Sequence, residues 1–213
     1  MVFFHLSFDL NNFHFIHIDI YHAQEWAYLR KIILVLFLGS VGISLVLANK
    51  SSINLDKVKK RFYLLAGASL LISIASYITF PKTYIYFGVL HFIMLSSLLG
   101  LLFIKHENIA LLLGLTILIL FNLSLINMHA LYNSVQPILN LPLKTEDLVP
   151  LIPWFGVVLI GIFIGRKKLF LFPLAHNKFS LGISFLGKHA LVIYLGHQVF
   201  LFGIIAGADH FLH

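Results

Sequence analysis

Twelve histidines, eight carboxylates and no cysteine stand among the 213 residues. Any reaction run by this chain therefore runs on imidazole, carboxylate and hydroxyl groups. Thiol catalysis, disulfides and thiolate-held metals are excluded outright. Zinc held by His and carboxylate is left open by composition alone, and no metal is expected. The first informative spacing is FHLSFDL, in which His5 and Asp9 stand four residues apart. On a helix these positions share a face, and a carboxylate so placed orients an imidazole and raises its basicity. That is the arrangement of a general base. The same residues also suit an interfacial amphipathic helix whose polar groups are incidental. Two further histidines lie inside apolar runs: His91 in FGVLHF, and His197 beside Gln198 in YLGHQVF. An ionisable residue in hydrocarbon faces the bundle interior and is a functional candidate, or else a satisfied interhelical hydrogen bonder.

The elements that must position these groups are membrane helices. Sixty per cent of the chain is hydrophobic and 11% is charged, against about 25% charged residues in soluble domains. Apolar runs of spanning length recur throughout, long and continuous rather than short and alternating, so the expected class is an all-α polytopic bundle. The N-terminus is apolar at once and lacks a basic leader segment, so no separate signal peptide is expected. Seven spans are expected, at about 1–18, 31–48, 62–80, 84–104, 109–127, 146–168 and 189–206. Residues 17–31 read as a polar connection, 49–61 and 166–188 as basic loops, and 128–144 as an irregular or re-entrant connection.

Charge tests this division. With alternate loops assigned to the cytoplasm, eleven of the fifteen Lys and Arg fall on that side, in the loops after spans two, four and six. The positive-inside rule then places the N-terminus in the cytoplasm and the C-terminus outside. His14, His17, His22, His91, His129 and Asp147 sort toward the outer half, where they suggest a polar cavity. The net charge of +7 belongs to this asymmetry and to the lipid bilayer; no nucleic-acid partner is expected.

The most constrained stretch is EDLVPLIPWFGVVLIGIFIGRKK, residues 146–168. Two acids precede Pro150 and Pro153, which a first helical turn tolerates. Trp154 suits the headgroup level, and Arg166, Lys167 and Lys168 suit the cytoplasmic side. Gly156, Gly161 and Gly165 let a neighbouring backbone come close, as do Gly39 and Gly42 in the second span.

FHLSFDL, FGVLHFIMLSSLLG and DLVPLIPWFGVVLIGIFIGR followed by GKHALVIYLGHQ together resemble the bacterial relatives of the heparan-α-glucosaminide N-acetyltransferase catalytic domain. The resemblance covers nearly the whole chain, read as one domain over residues 1–213. Its most specific part is Asp147, Pro150, Pro153, Trp154, Phe155 and Gly156. It implies a multi-spanning acyltransferase of the bacterial inner membrane. Such an enzyme moves acetyl from cytoplasmic acetyl-CoA to a saccharide amine or hydroxyl on the outer side. In related transmembrane acyltransferases a first-helix histidine is essential, and His5 matches it. The lysosomal enzyme relies on a histidine after its first helix, where this chain offers His14, His17 and His22, so the choice among these stays open. Relatives also carry an Arg, an Asp and an Arg-Gly pair before the first-helix histidine. This chain starts after those positions, so its first helix is expected to be short of its upstream turn.

The chemistry also follows from the residues alone. Acyl transfer needs a base, donors for a developing oxyanion and a track for the CoA phosphates. His5 with Asp9 can be base and orienter, or His5 can carry the acetyl group directly. His91, His197 and Gln198 can line the reaction centre. His22, Glu25, Trp26, Asp147 and Trp154 can hold the acceptor, the two Trp rings by stacking on a sugar, although both also suit a membrane belt. Lys59, Lys60, Arg61, Arg166 and Lys167 can meet phosphates or serve only as topology signals. Three other readings compete: a haem carrier with His91 and His129 as axial ligands, a solute transporter using the same cavity, and a non-catalytic remnant or assembly partner; assembly as a homo-oligomer is open under any of them.

Overall fold

The structure is a computed structural model that describes residues 2–19, 23–49, 53–145, 147–169 and 178–212, with the side chains at 179, 198, 199, 202, 206 and 209–212 outside the description. Every regular element among the described residues is an α-helix. In chain order these are α1 (Val2–Asn12), α2 (Gln24–Ala48), α3 (Leu55–Thr79), α4 (Val89–Leu101), α5 (Glu107–Asn122), α6 (His129–Leu139), α7 (Leu151–Lys167), α8 (Lys178–Lys188) and α9 (Ala190–Leu212). They fall into two compact units: a terminal unit of residues 1–34 and 171–213, and a central unit of residues 35–170.

In the terminal unit α1 packs on α9, and α8 leads into α9. α1 is shorter than the expected first span. Its end is set by His14, which takes a left-handed conformation (φ 63°) just past Asn12. Phe15 N–H then folds back on Leu10 O at 2.9 Å, satisfying one of the carbonyls that a helix end leaves open. Ser7 and Asp9 are the buried face of α1, so its inward stripe is polar. A helix with a polar buried stripe is held by specific partners rather than by apolar area.

In the central unit α7 is enclosed on all sides. Phe155, Gly156, Val157, Val158, Leu159, Gly161, Ile162 and Gly165 are all buried, and a helix apolar all round belongs in a core. Its glycines work as the spacing suggested. A methyl group on Gly161 would run into the carbonyl of Gly39, and one on Gly42 into the carbonyl of Val158. On the other side of α7, Gly156 and Gly114 of α5 meet, with a Cβ on either lying 2.8 Å from the other's carbonyl oxygen. Ile152, ahead of Pro153, is extended (φ −99°, ψ 128°), because a residue before proline is pushed out of the helical region. At the far end Arg166 and Lys167 sit in the last turn and Lys168 closes it with φ 57°, the placement that the helix dipole favours for cations.

Several expected boundaries move. α2 begins at Gln24 rather than Lys31, and α3 at Leu55 rather than Phe62. The supposed polar and basic connections therefore supply helical turns. Asn54 caps α3 by accepting from Lys57 N–H at 3.0 Å, which pulls Lys57, Lys59, Lys60 and Arg61 into the helix. The connection at 128–144 contains α6, and the second basic loop contains α8. By length and apolarity, α2 and α3 are able to cross a membrane, while α4 and α5 are shorter apolar helices. The outward faces of α2 and α3 carry Val35, Leu36, Leu64, Leu70, Leu71, Ile74 and Ile78, all exposed. Exposed apolar helix faces of this kind are at rest in hydrocarbon rather than in water.

Candidate functional site

The terminal unit brings together the two histidines that the sequence leaves 192 residues apart. His5 on α1 and His197 on α9 meet edge to face with ring centroids 5.0 Å apart. The backbone of α9 fixes the second ring: Nδ1 of His197 lies 2.6 Å from the carbonyl of Tyr194 and 3.1 Å from that of Ile193. A carbonyl oxygen only accepts, so Nδ1 carries the proton and Nε2 of the neutral ring presents its lone pair. That Nε2 is buried and has no hydrogen-bond partner among the described residues. Leaving a buried acceptor unpaired costs about 1–3 kcal/mol. The arrangement leaves that nitrogen open to a donor group from outside the described residues.

Asp9 is 2% exposed and stands one turn after His5 on the buried face of α1. His5 is steadied by its neighbours in the chain. Phe3 stacks on Trp26 at 6.4 Å, and Phe4 meets Trp26 edge-on at 5.8 Å. Trp26, in the first turns of α2, thus ties down the segment that carries His5. Phe3, Phe4 and the carbonyls of Ile193 and Tyr194 are supporting groups that the sequence reading passed over. The last two had a signal, because positions i−3 and i−4 on a helix lie within reach of a His side chain.

His91 lies in the central unit in a closed network. Its Nδ1 accepts from Gly88 N–H at 3.3 Å. Nε2–H is thereby left to donate to Ser73 Oγ at 3.2 Å, and that hydroxyl donates to Ile85 O at 2.7 Å. Both ring nitrogens are occupied by the protein's own groups, and the ring also faces Phe87 at 6.0 Å. Nothing in the sequence pointed to Ser73. Asp147, of the same unit, accepts from Val89 N–H at 3.0 Å and so caps α4. A Cβ at Gly88 would stand 2.7 Å from the Asp147 carboxylate and would push that side chain aside. An anionic group at a helix N-terminus is stabilising by itself.

The remaining candidates scatter. Glu25 is exposed in the first turn of α2, and Trp154 is half-buried in the first turn of α7. His22 and the side chain of Gln198 lie outside the described residues. Lys59 and Lys60 are exposed, whereas Arg61 is half-buried. Arg166 and Lys167 pair with Glu107 at 3.8 and 3.6 Å.

A family model described as heparan-alpha-glucosaminide N-acetyltransferase, catalytic, matches residues 1–199 of the chain. Neither a curated protein nor a solved structure matches it.

Proposed function

The chain belongs to the heparan-α-glucosaminide N-acetyltransferase catalytic family, and on that premise we propose that it is an integral membrane acyltransferase with the His5–His197 pair at its centre. It takes acetyl, or another short acyl group, from acyl-CoA on the cytoplasmic side. It delivers the group to an amine or hydroxyl of a cell-envelope saccharide on the outer side. The whole chain forms one such domain with seven spans and a cytoplasmic N-terminus, in the bacterial inner membrane.

The observation that carries this reading is the buried, unpartnered Nε2 of His197 beside His5. In the reaction the acceptor oxygen or nitrogen attacks the thioester carbonyl and gives its proton to an imidazole nitrogen of the pair. The imidazolium then returns that proton to the departing CoA sulfur, so CoA leaves as the thiol. The carbonyls of Tyr194 and Ile193 hold His197 in the tautomer that leaves Nε2 free to act. Asp9, one turn from His5, orients that ring. Lys59, Lys60, Arg166 and Lys167 supply charge for the CoA phosphates. Trp154 and Glu25 remain acceptor-side candidates.

The test is turnover of radiolabelled acetyl-CoA by purified protein in detergent, with His5→Ala, His197→Ala and the double variant. Each single change is expected to lower kcat by about 10²–10⁴-fold, the usual worth of a positioned acid–base group. The double variant is expected to be little worse than either, as for groups that act as a unit. Wild-type protein that neither binds nor turns over acetyl-CoA would sink the acyltransferase reading. Turnover that survives both substitutions would sink only the assignment of the pair.

A further inference from the structure

A cleft in the central unit, walled by α2, α3 and α4, carries an inference separate from the histidine pair. Asn54 starts α3 so that Lys57, Arg61 and Leu65 follow one another at four-residue steps on a single face. Leu65, Ala68 and Ser69 continue that face and are buried; the half-buried Arg61 stands at its edge, and the exposed Lys57 stands one turn further out. Both line a cleft of about 50 Å³ with Ser97 of α4. One water needs about 10–15 Å³, so the space takes a group of several heavy atoms. Ser97 is 7% exposed, and its Oγ is buried without a hydrogen-bond partner among the described residues. The half-buried Arg61 is held by no ion pair among them either. A second opening of about 230 Å³ adjoins the first, shares Phe62 and Leu98 as walls, and adds Lys59 and Tyr63. Leu98 and Tyr63 are exposed, so the two openings form one trough, cationic at the start of α3 and apolar along its length.

We propose that this trough is a binding site for an anionic phospholipid. Arg61, Lys57 and the Ser97 hydroxyl, all donors, meet the headgroup phosphate, and an acyl chain lies against Phe62, Leu98 and Tyr63. Basic pockets between membrane helices take phosphate headgroups in this way. Guanidinium gives the directional contacts, and the serine hydroxyl gains the acceptor it lacks. CoA is the other phosphate-bearing candidate. Its adenine nucleotide needs a polar enclosure, whereas the trough offers aromatic and aliphatic walls, so a lipid is the better match. The site assigns Arg61 a role apart from Lys60, which is exposed and lines neither opening.

The experiment is native mass spectrometry of detergent-purified protein titrated with phosphatidylglycerol or phosphatidylcholine. The variants are Arg61→Gln, Lys57→Gln and Ser97→Leu, and Lys105→Gln is the charge-matched control. Wild-type protein is expected to retain one phosphatidylglycerol with about tenfold preference over phosphatidylcholine, a difference of about 1.4 kcal/mol. Arg61→Gln and Ser97→Leu are expected to lose that adduct at least tenfold, and Lys105→Gln to keep it. If Arg61→Gln is misfolded by circular dichroism, the exposed Lys57→Gln stands in its place with a smaller loss. Equal retention of both lipids, or unchanged adducts in all variants, would overturn the proposal. So would displacement of the bound lipid by equimolar CoA, which would give the cleft to the co-substrate. Acetyl transfer is not read in this experiment, so its outcome is independent of the histidine pair.

Discussion

A buried imidazole nitrogen without a partner is an acceptor left open to a donor group that the fold itself does not supply. This separates His197 from His91. The ring of His91 spends both nitrogens on Gly88 and Ser73, while His197 spends one on its own helix and keeps the other. A second residue-scale contact sets a pH dependence. Glu107 opens α5, and its carboxyl is held below its ordinary value of 4.5 by its own backbone N–H first, then by Lys167 and Arg166, against an opposing desolvation. A carboxylate with a lowered folded pKa contributes stability that is complete above the unfolded value and is lost as the pH falls through the folded one. Thermal melts of wild type and Glu107→Gln are therefore expected to differ slightly near neutral pH. They should converge once the pH falls below the lowered folded pKa, where protonated Glu and Gln are alike. A gap that stays constant down to that pH would show that the ion pair is not its source. The pair is surface-exposed on its basic side, so the difference is expected to be small and to shrink with salt.

At the scale of elements, backbone approach decides the packing of the central unit. Gly161 and Gly42 let α7 and α2 touch through their main chains, whereas Gly67 on α3 has open space around its Cα. Gly161→Ala is expected to destabilise the protein by about 1–3 kcal/mol, the usual cost of forcing an extra methyl into a packed core. Gly67→Ala is expected to be neutral or stabilising by up to about 1 kcal/mol, through helix propensity. Denaturation in mixed micelles followed by circular dichroism ranks the two, and equal stabilities would remove backbone contact as the explanation. Glycine spacing made this legible in advance, because i+4 and i+5 steps can be read without coordinates. The starts of α2 and α3 were not legible. Charged residues look like a loop when hydropathy alone is weighed, and the Asn54 cap that recruits Lys57 outweighs them. α6 was missed for a related reason: Pro137 and Asn140 punctuate the segment, yet a single proline late in a short helix does not prevent its first turns.

For the whole molecule, the proposed seven-span arrangement makes a prediction that the absence of cysteine renders easy to check. Single cysteines at Lys82, Lys144, Lys105 and Lys188 can be labelled in cells with a membrane-impermeant maleimide. Lys82→Cys and Lys144→Cys are expected to label from outside, and Lys105→Cys and Lys188→Cys only after permeabilisation. Labelling of Lys82→Cys and Lys105→Cys from the same side would end the topology. What the amino-acid sequence determined by itself was everything that depends on composition and short periods. An all-helical chain, apolar runs, close-packing glycines and membership of an acetyltransferase family all rest on local patterns that any segment displays alone. The tertiary structure decided which polar groups meet. His5 and His197 are brought together by the packing of α1 on α9. Ser73 and His91 stand on the packed helices α3 and α4, and Arg61 and Ser97 line one cleft. The pairs are separated by 18, 36 and 192 residues, beyond the reach of one helix's local pattern. Side-chain partnership in a helical bundle is set by how helices rotate against one another, and only the packed core selects that rotation.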